Sequence, residues 1–133
     1  MKRFWLGLGL LGLLLGLGIW EQTQIPALTE PIAEQLDAAA QAAFLEDWEE
    51  AAACAGVAQQ KWQKCWDLLA TTTHHGPMEE IDGLLAQAEA LLRAREESKF
   101  SACCARLAEL IRALGEAHRV NLRNLLAHPL PGQ

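Results

Sequence analysis

Seventeen consecutive residues without a charge, Phe4 to Trp20 (FWLGLGLLGLLLGLGIW), stand between Lys2-Arg3 and Glu21. Such a run has to leave water, either into a bilayer or into a protein core. As a helix it spans ~25 Å. The hydrocarbon core is ~30 Å thick, so the length is short but workable, with Trp5 and Trp20 at the two interfaces. Eight Leu, Ile19 and Phe4 each favour insertion by roughly 0.3–0.6 kcal/mol near the bilayer centre. A cleaved signal peptide has a shorter apolar region and a small-x-small cleavage site. Here Ile25-Pro26-Ala27 supplies only a poor one. The sequence therefore reads as an uncleaved transmembrane anchor over 1–21, ahead of a cleaved signal and of a buried soluble helix.

Charge orients the anchor. Lys2 and Arg3 precede it, and from Glu21 to Gln60 there is no Lys or Arg but eight acids. The positive-inside rule then keeps the N-terminus cytoplasmic and exports the rest. Gly12 and Gly16 form a GxxxG that lets helix backbones approach closely, so a homodimer through this face is one expectation, with glycine as filler its rival. Without Lys2 and Arg3 the net charge falls from −6 to −8. That excludes nucleic acid, which needs Lys and Arg against its phosphates, and an electrostatic grip on anionic lipid. The acids up to Glu50 are expected near the membrane, holding the domain off its surface.

The chain carries 24 Leu and 23 Ala against 2 Val, 5 Ile and no Tyr. Strands want β-branched and aromatic residues, so the fold is all-α. Residues 22–28 read as a linker, and Thr29 as a helix cap with Pro31 in the first turn. A first bundle helix follows with Ile32, Leu36, Ala39, Ala40, Ala43 and Phe44 at helical spacing. Asp47 caps a second, of about 22 residues, with Trp48, Ala52, Ala55, Gln59, Trp62, Trp66 and Leu69 as its core stripe. Thr71 to Pro77 ends it. A third carries Ile81, Leu84, Leu85, Ala88, Leu91 and Leu92. Ser98 caps a fourth with Phe100, Cys103, Cys104, Leu107, Leu110, Ile111 and Leu114. Gly115 breaks or kinks it before a short fifth segment, Val120 to Ala127, and a tail over 128–133. The expectation is an antiparallel bundle of about four helices plus a short C-terminal helix over 29–127. Phe44–Ala52 and Arg93–Ala102 form a weak internal repeat, each reading as helix end, acidic turn, aromatic, then Ala.

Little of the chain points to chemistry. His74, His75 and Glu79 are metal-ligand types, but a closed zinc site needs four placed ligands, and capping of the local helix ends explains them better. Cys54 and Cys65 lie ~16 Å apart along one helix and cannot pair with each other. A cross-helix disulfide to Cys103 or Cys104 competes with the reading of all four as small core hydrophobes. Only two serines occur, neither in a nucleophile elbow, and no glycine-rich loop follows a strand, so neither an enzyme nor a cofactor is expected. Trp48, Trp62 and Trp66 are core candidates, with a ligand pocket as the alternative.

The Met1-Lys2-Arg3 start and its anchor, Asp47-Trp48, Trp62, Trp66, His75 followed by Glu80-Ile81-Asp82, and Asn124-Leu125-Leu126 together resemble the family known as domain of unknown function 4363. The resemblance covers nearly the full length. It implies a short, membrane-anchored helical protein of Firmicutes with no assigned activity. It also implies a link to sporulation and to a membrane-protein companion. The expectation is thus a bitopic, non-enzymatic accessory protein. It would sit in the bilayer through residues 4–20 and meet an integral membrane partner through Gly12, Gly16, Glu46, Glu49 and Glu50. The alternative is a sensor binding a small molecule or lipid between its helices.

Overall fold

The structure, a computed structural model, describes residues 2–71 and 75–127. Side chains of 18–26, 121, 122, 125 and 126 lie outside the described set, as do His74 and the tail over 128–133. Four helices follow one another: α1 Lys2–Phe44, α2 Trp48–Leu69, α3 His75–Ala94 and α4 Glu97–Ala127. No strand occurs among the described residues, so the all-α expectation holds.

The helices alternate in direction, with α1 between α4 and α2, α3 against α4, and only a sparse seam between α2 and α3. The core runs through Ile32, Leu36, Ala39 and Ala43 of α1, Trp62 and Leu69 of α2, Met78 and Ile81 of α3, and Phe100, Leu107 and Ile111 of α4.

Both ends of the expected division into elements change. Residues 22–28 are part of α1, which runs unbroken from the apolar run into the bundle. Thr29 is therefore not a cap; it is 3% exposed inside the helix. Pro26 and Pro31 each remove one backbone donor without ending the helix. Likewise the expected fourth helix and fifth segment are one helix, α4. Gly115 does not break it. The glycine is needed where α4 crosses α1: a Cβ there would be driven into Thr29 Oγ1 and lie 3.3 Å from Thr29 Cβ. Beside this crossing Arg112 spans two turns of α1, donating to Glu30 Oε1 at 3.2 Å and to Asp37 Oδ2 at 2.8 Å.

Asp47 caps α2 as expected, accepting from the Glu50 amide at 3.1 Å. The core stripe of α2 is rotated from the expected one. It runs through Ala51, Cys54, Ala58, Trp62, Cys65 and Leu69. Trp48, Ala55, Gln59 and Trp66 are half-buried at its margin and Ala52 is exposed. Small residues at the centre let α2 approach α1 closely, while indole rings fit only at the edge or at the end of the interface. Ser98 does not cap α4, because the helix already starts at Glu97.

The internal repeat is real, and it is a repeat of turns. After α1 the Asp47 amide donates to Ala42 O and the Glu46 amide to Ala43 O. After α3 the Glu96 amide donates to Leu91 O and the Arg95 amide to Leu92 O. Both are Schellman endings with a non-glycine residue in the left-handed region, Glu46 at φ 59° and Arg95 at φ 52°. These turns lie 49 residues apart (46 to 95), and the same spacing relates buried pairs along both hairpins. Ile32 matches Ile81, Leu36 matches Leu85, Ala39 matches Ala88, Ala51 matches Phe100 and Cys54 matches Cys103. The fold is two like hairpins facing each other. One interface between them, α1 with α4, is sealed, and its counterpart, α3 with α2, is ajar.

Large apolar side chains from Phe4 to Leu17 are 48% exposed or more. This part of α1 extends past the other helices. Among the described residues no helix is long and apolar enough to cross a membrane. Glu46, Glu49 and Glu50 sit at the opposite end of α1. They lie ~40 Å or more from Leu17 by helical rise, so they do not border the apolar run as expected.

Gly115→Ala adds helix propensity of up to about 1 kcal/mol but overpacks a crossing where such insertions cost about 1–3 kcal/mol. The expected outcome in urea unfolding is a net loss of stability for Gly115→Ala alone. In a Thr29→Ala background, where the hydroxyl and methyl are gone and only the Cβ contact at 3.3 Å remains, the same change costs much less. Equal effects in both backgrounds would refute the close-approach argument.

Candidate functional site

Three places in the molecule can carry function: the exposed apolar end of α1, the seam between α2 and α3, and the tip formed by the α1–α2 turn.

On α1, Gly12 and Gly16 are both exposed, and a Cβ at either would meet nothing within 4 Å. The GxxxG face is thus unpartnered in the single chain. It is flanked by exposed Leu8, Leu11, Leu13 and Leu15.

The seam holds an open groove of about 190 Å³, lined by Leu36, Ala52, Ala55, Gly56, Gln59, Leu85, Ala88, Glu89 and Leu92. Pockets for small molecules typically exceed ~300 Å³. Trp62 and Trp66, the residues expected beside a ligand, do not line it. Trp62 is instead 1% exposed and its indole Nε1 donates to Asp82 Oδ1 at 2.7 Å. This bond ties α2 to α3 where they otherwise barely touch. Trp66 is half-buried, with its ring 6.4 Å from that of His75 at the start of α3. Two motifs that stand 20 residues apart in sequence, the tryptophan pair and Glu80-Ile81-Asp82, therefore meet as one structural unit. Within it Ile81 fills the core, Asp82 holds Trp62, and Glu80 faces Arg106 of α4 at 3.4 Å. Trp48, at the other end of α2, is half-buried with its ring 6.3 Å from Phe100.

His75 and Glu79 are exposed on the first turns of α3. Among the described residues no group of three or more His, Cys, Asp or Glu is arranged to hold a metal. The four cysteines are free and buried. They sit where small core side chains sit, and no pair of them forms a disulfide. Cys103 Sγ lies 3.4 Å from the Leu84 carbonyl and Cys54 Sγ 3.5 Å from Glu50 Oε1. Burial, with the neighbouring Cys103 and Asp37 adding to it, pushes the Cys104 thiol up to about 12. A thiol held there is neutral and unreactive at neutral pH.

At the tip, Phe44 and Leu45 are 67% and 66% exposed. Glu46, Asp47, Glu49 and Glu50 surround them, all exposed. None of these four carboxylates is ion-paired among the described residues. Sequence reasoning found the acids but placed Phe44 in the core stripe. The periodicity was right, yet Phe44 is the last helical residue, where the next turn of packing partners is missing.

Two outcomes follow. Asp82→Ala leaves a buried indole N–H without its acceptor and is expected to cost about 1–3 kcal/mol in urea unfolding, whereas Asp82→Asn, which keeps an oxygen acceptor, costs much less. For Cys104, the unfolded thiol loses its proton near its ordinary ~8.5 while the folded one keeps it to about 12. Its contribution to stability is therefore complete below ~8.5 and declines as pH rises from there to about 12. A unfolding midpoint that falls across that window in the wild type, and falls less in Cys104→Ala, is the expected reading.

No curated protein and no solved structure matches the chain. The family described as Domain of unknown function (DUF4363) matches residues 19–125. That span begins at the end of the apolar run and takes in all of α2 and α3, the Trp62–Asp82 unit and nearly all of α4. The chain belongs to the DUF4363 family.

Proposed function

We propose that this protein is a single-pass membrane protein. It works as a non-enzymatic accessory or interaction module that displays its bundle outside the membrane, with the N-terminus cytoplasmic. The observation that carries the proposal is the first part of α1. From Phe4 to Leu17 it offers only apolar side chains and glycines, nearly half exposed or more, and it packs on no other helix. An apolar surface of that extent is not left in water. The sequence run continues to Trp20, and Lys2 and Arg3 precede it. A short span of this kind is accommodated by local thinning of the bilayer and by association with neighbours. The exposed Gly12–Gly16 face suits such association, with a second copy or with an integral membrane protein.

Several features support a role in interaction rather than catalysis. The groove is small and apolar, and the thiols are buried and protonated. The sporulation setting and the membrane-protein companion rest on the family resemblance alone and form part of this proposal.

The test is alkaline carbonate extraction of the full-length chain from the membranes of its own cells, followed by protease treatment of intact cells. The chain is expected to stay with the membrane, and the bundle to be cut from outside. Leu10→Arg with Leu13→Arg costs roughly 2.5–3.5 kcal/mol per charge at the bilayer centre and is expected to move the chain to the soluble fraction. Release of the wild type by carbonate would overturn the reading.

A further inference from the structure

The two Schellman turns provide an internal control on what the fold needs at its tip. Their backbones share the same hydrogen bonds and the same left-handed residue. Their side chains differ. Where the first turn has Phe44, Leu45 and Glu46, the second has Arg93, Ala94 and Arg95. The turn therefore closes without any apolar pair, and Phe44 and Leu45 are not there for folding. Both are two-thirds exposed. No other two neighbouring large apolar residues of the bundle are exposed to that degree among the described residues.

The charges differ in the same way. At the second turn two acid–base pairs form, Arg93 with Glu89 and Lys99 with Glu96 at 2.7 Å, beside an Arg95 and a Glu97 outside any ion pair among the described residues. At the first turn four exposed carboxylates, Glu46, Asp47, Glu49 and Glu50, have no cation. Their contacts within the fold are the Glu50 amide that Asp47 caps and the Cys54 thiol, 3.5 Å from Glu50 Oε1.

We infer that the α1–α2 turn is a docking tip. On this inference Phe44 and Leu45 enter an apolar socket on a partner protein, and Lys and Arg side chains around that socket meet Glu46, Glu49 and Glu50. Charge complementarity selects this occupant. An anionic lipid surface is repelled by four carboxylates. A second copy of the chain offers four exposed bases outside the ion pairs among its described bundle residues, Lys61, Lys64, Arg95 and Arg123, and none of them lines its apolar groove. The division of labour follows the usual one, with aromatic and aliphatic anchors supplying affinity and the surrounding charges supplying rate and selectivity. The inference rests on the proposed membrane-anchored accessory role and names the chemistry of the partner.

The test uses the full-length chain in the membranes of its own cells. The photoreactive residue benzoylphenylalanine replaces, one at a time, Phe44, the equivalent Arg93 of the second turn, and Val57 and Leu68, exposed apolar residues elsewhere on α2. The expected result is a discrete protein adduct from position 44, about tenfold or more above the other three. The crosslinked peptide of the partner should carry Lys or Arg beside apolar residues. Glu46→Lys with Glu49→Lys and Glu50→Lys should reduce the adduct about tenfold, and so should ~0.5 M salt.

Folding is controlled by a graft, Phe44→Arg with Leu45→Ala and Glu46→Arg, which gives the first turn the sequence that the second already folds with. It should keep its helix content and unfolding midpoint and lose co-purification of the crosslinked partner. Several results would overturn the inference: no adduct at position 44, an adduct with lipid or with a second copy, or an adduct indifferent to charge reversal. So would a graft that still captures the partner. Retention of the chain by carbonate-washed membranes in any of those cases would confine the failure to the tip. Its release would instead remove the membrane reading beneath it.

Discussion

Everything in this bundle is registered by one crossing, that of α1 and α4 at Thr29 and Gly115. The missing Cβ of Gly115 brings two backbones together, and the guanidinium of Arg112 then straddles Glu30 and Asp37 of the facing helix. Exposed ion pairs of this kind contribute little free energy, on the order of 0–1 kcal/mol each. Their value lies in fixing which turn of α4 faces which turn of α1. With that set, Ile32 and Leu36 meet Leu107 and Ile111 in the core, and α2 and α3 fall into place as the antiparallel returns of the two hairpins.

The two hairpins repeat in burial pattern and turn geometry, but not in how tightly they meet. In the sealed interface, Gly115 and Thr29 permit close approach and Arg112 locks the register. In the other, the matching helices α3 and α2 are held chiefly through Trp62 and Asp82, leaving an apolar groove beside them. Trp62, Trp66 and the Glu80-Ile81-Asp82 run fall on that weak seam. Their role in this chain is architectural: a single directed hydrogen bond does on one side what extensive packing does on the other.

Much of this was legible in the sequence. Asp47 as a cap, α2 from Trp48 to Leu69, the apolar faces of α3 and α4, the all-α class and the turn repeat are local signals, and local signals survived. What was not legible depended on partners distant in sequence. Thr29 looks like a cap and Gly115 like a breaker until each is seen as the reason the other is there. The stripe of α2 was set through its tryptophans because they are large. The interface instead selected small residues, Ala51, Cys54 and Ala58, and pushed Trp48 and Trp66 to the margin. Phe44 had the right period for the core, but it occupies the final helical position, beyond the reach of its neighbours. For His74, His75 and Glu79, which are metal-ligand types better explained by capping, His74 lies outside the described residues, and no group of three or more His, Cys, Asp or Glu placed to hold a metal forms among the described ones.

The continuity of α1 means that the residues between Leu17 and Leu28 act as a phase setting rather than as slack. In an unbroken helix each residue advances the axis by ~1.5 Å and turns it by ~100°. Removing one residue from that stretch would swing the Gly12–Gly16 side about a quarter-turn or more around the axis relative to the bundle, while shortening the helix by very little. Removing seven would bring it back almost to its starting angle, ~10 Å closer. The azimuth of the Gly12–Gly16 side relative to the bundle is therefore written in a residue count, and chains of the same fold with different counts there would carry that side at different angles.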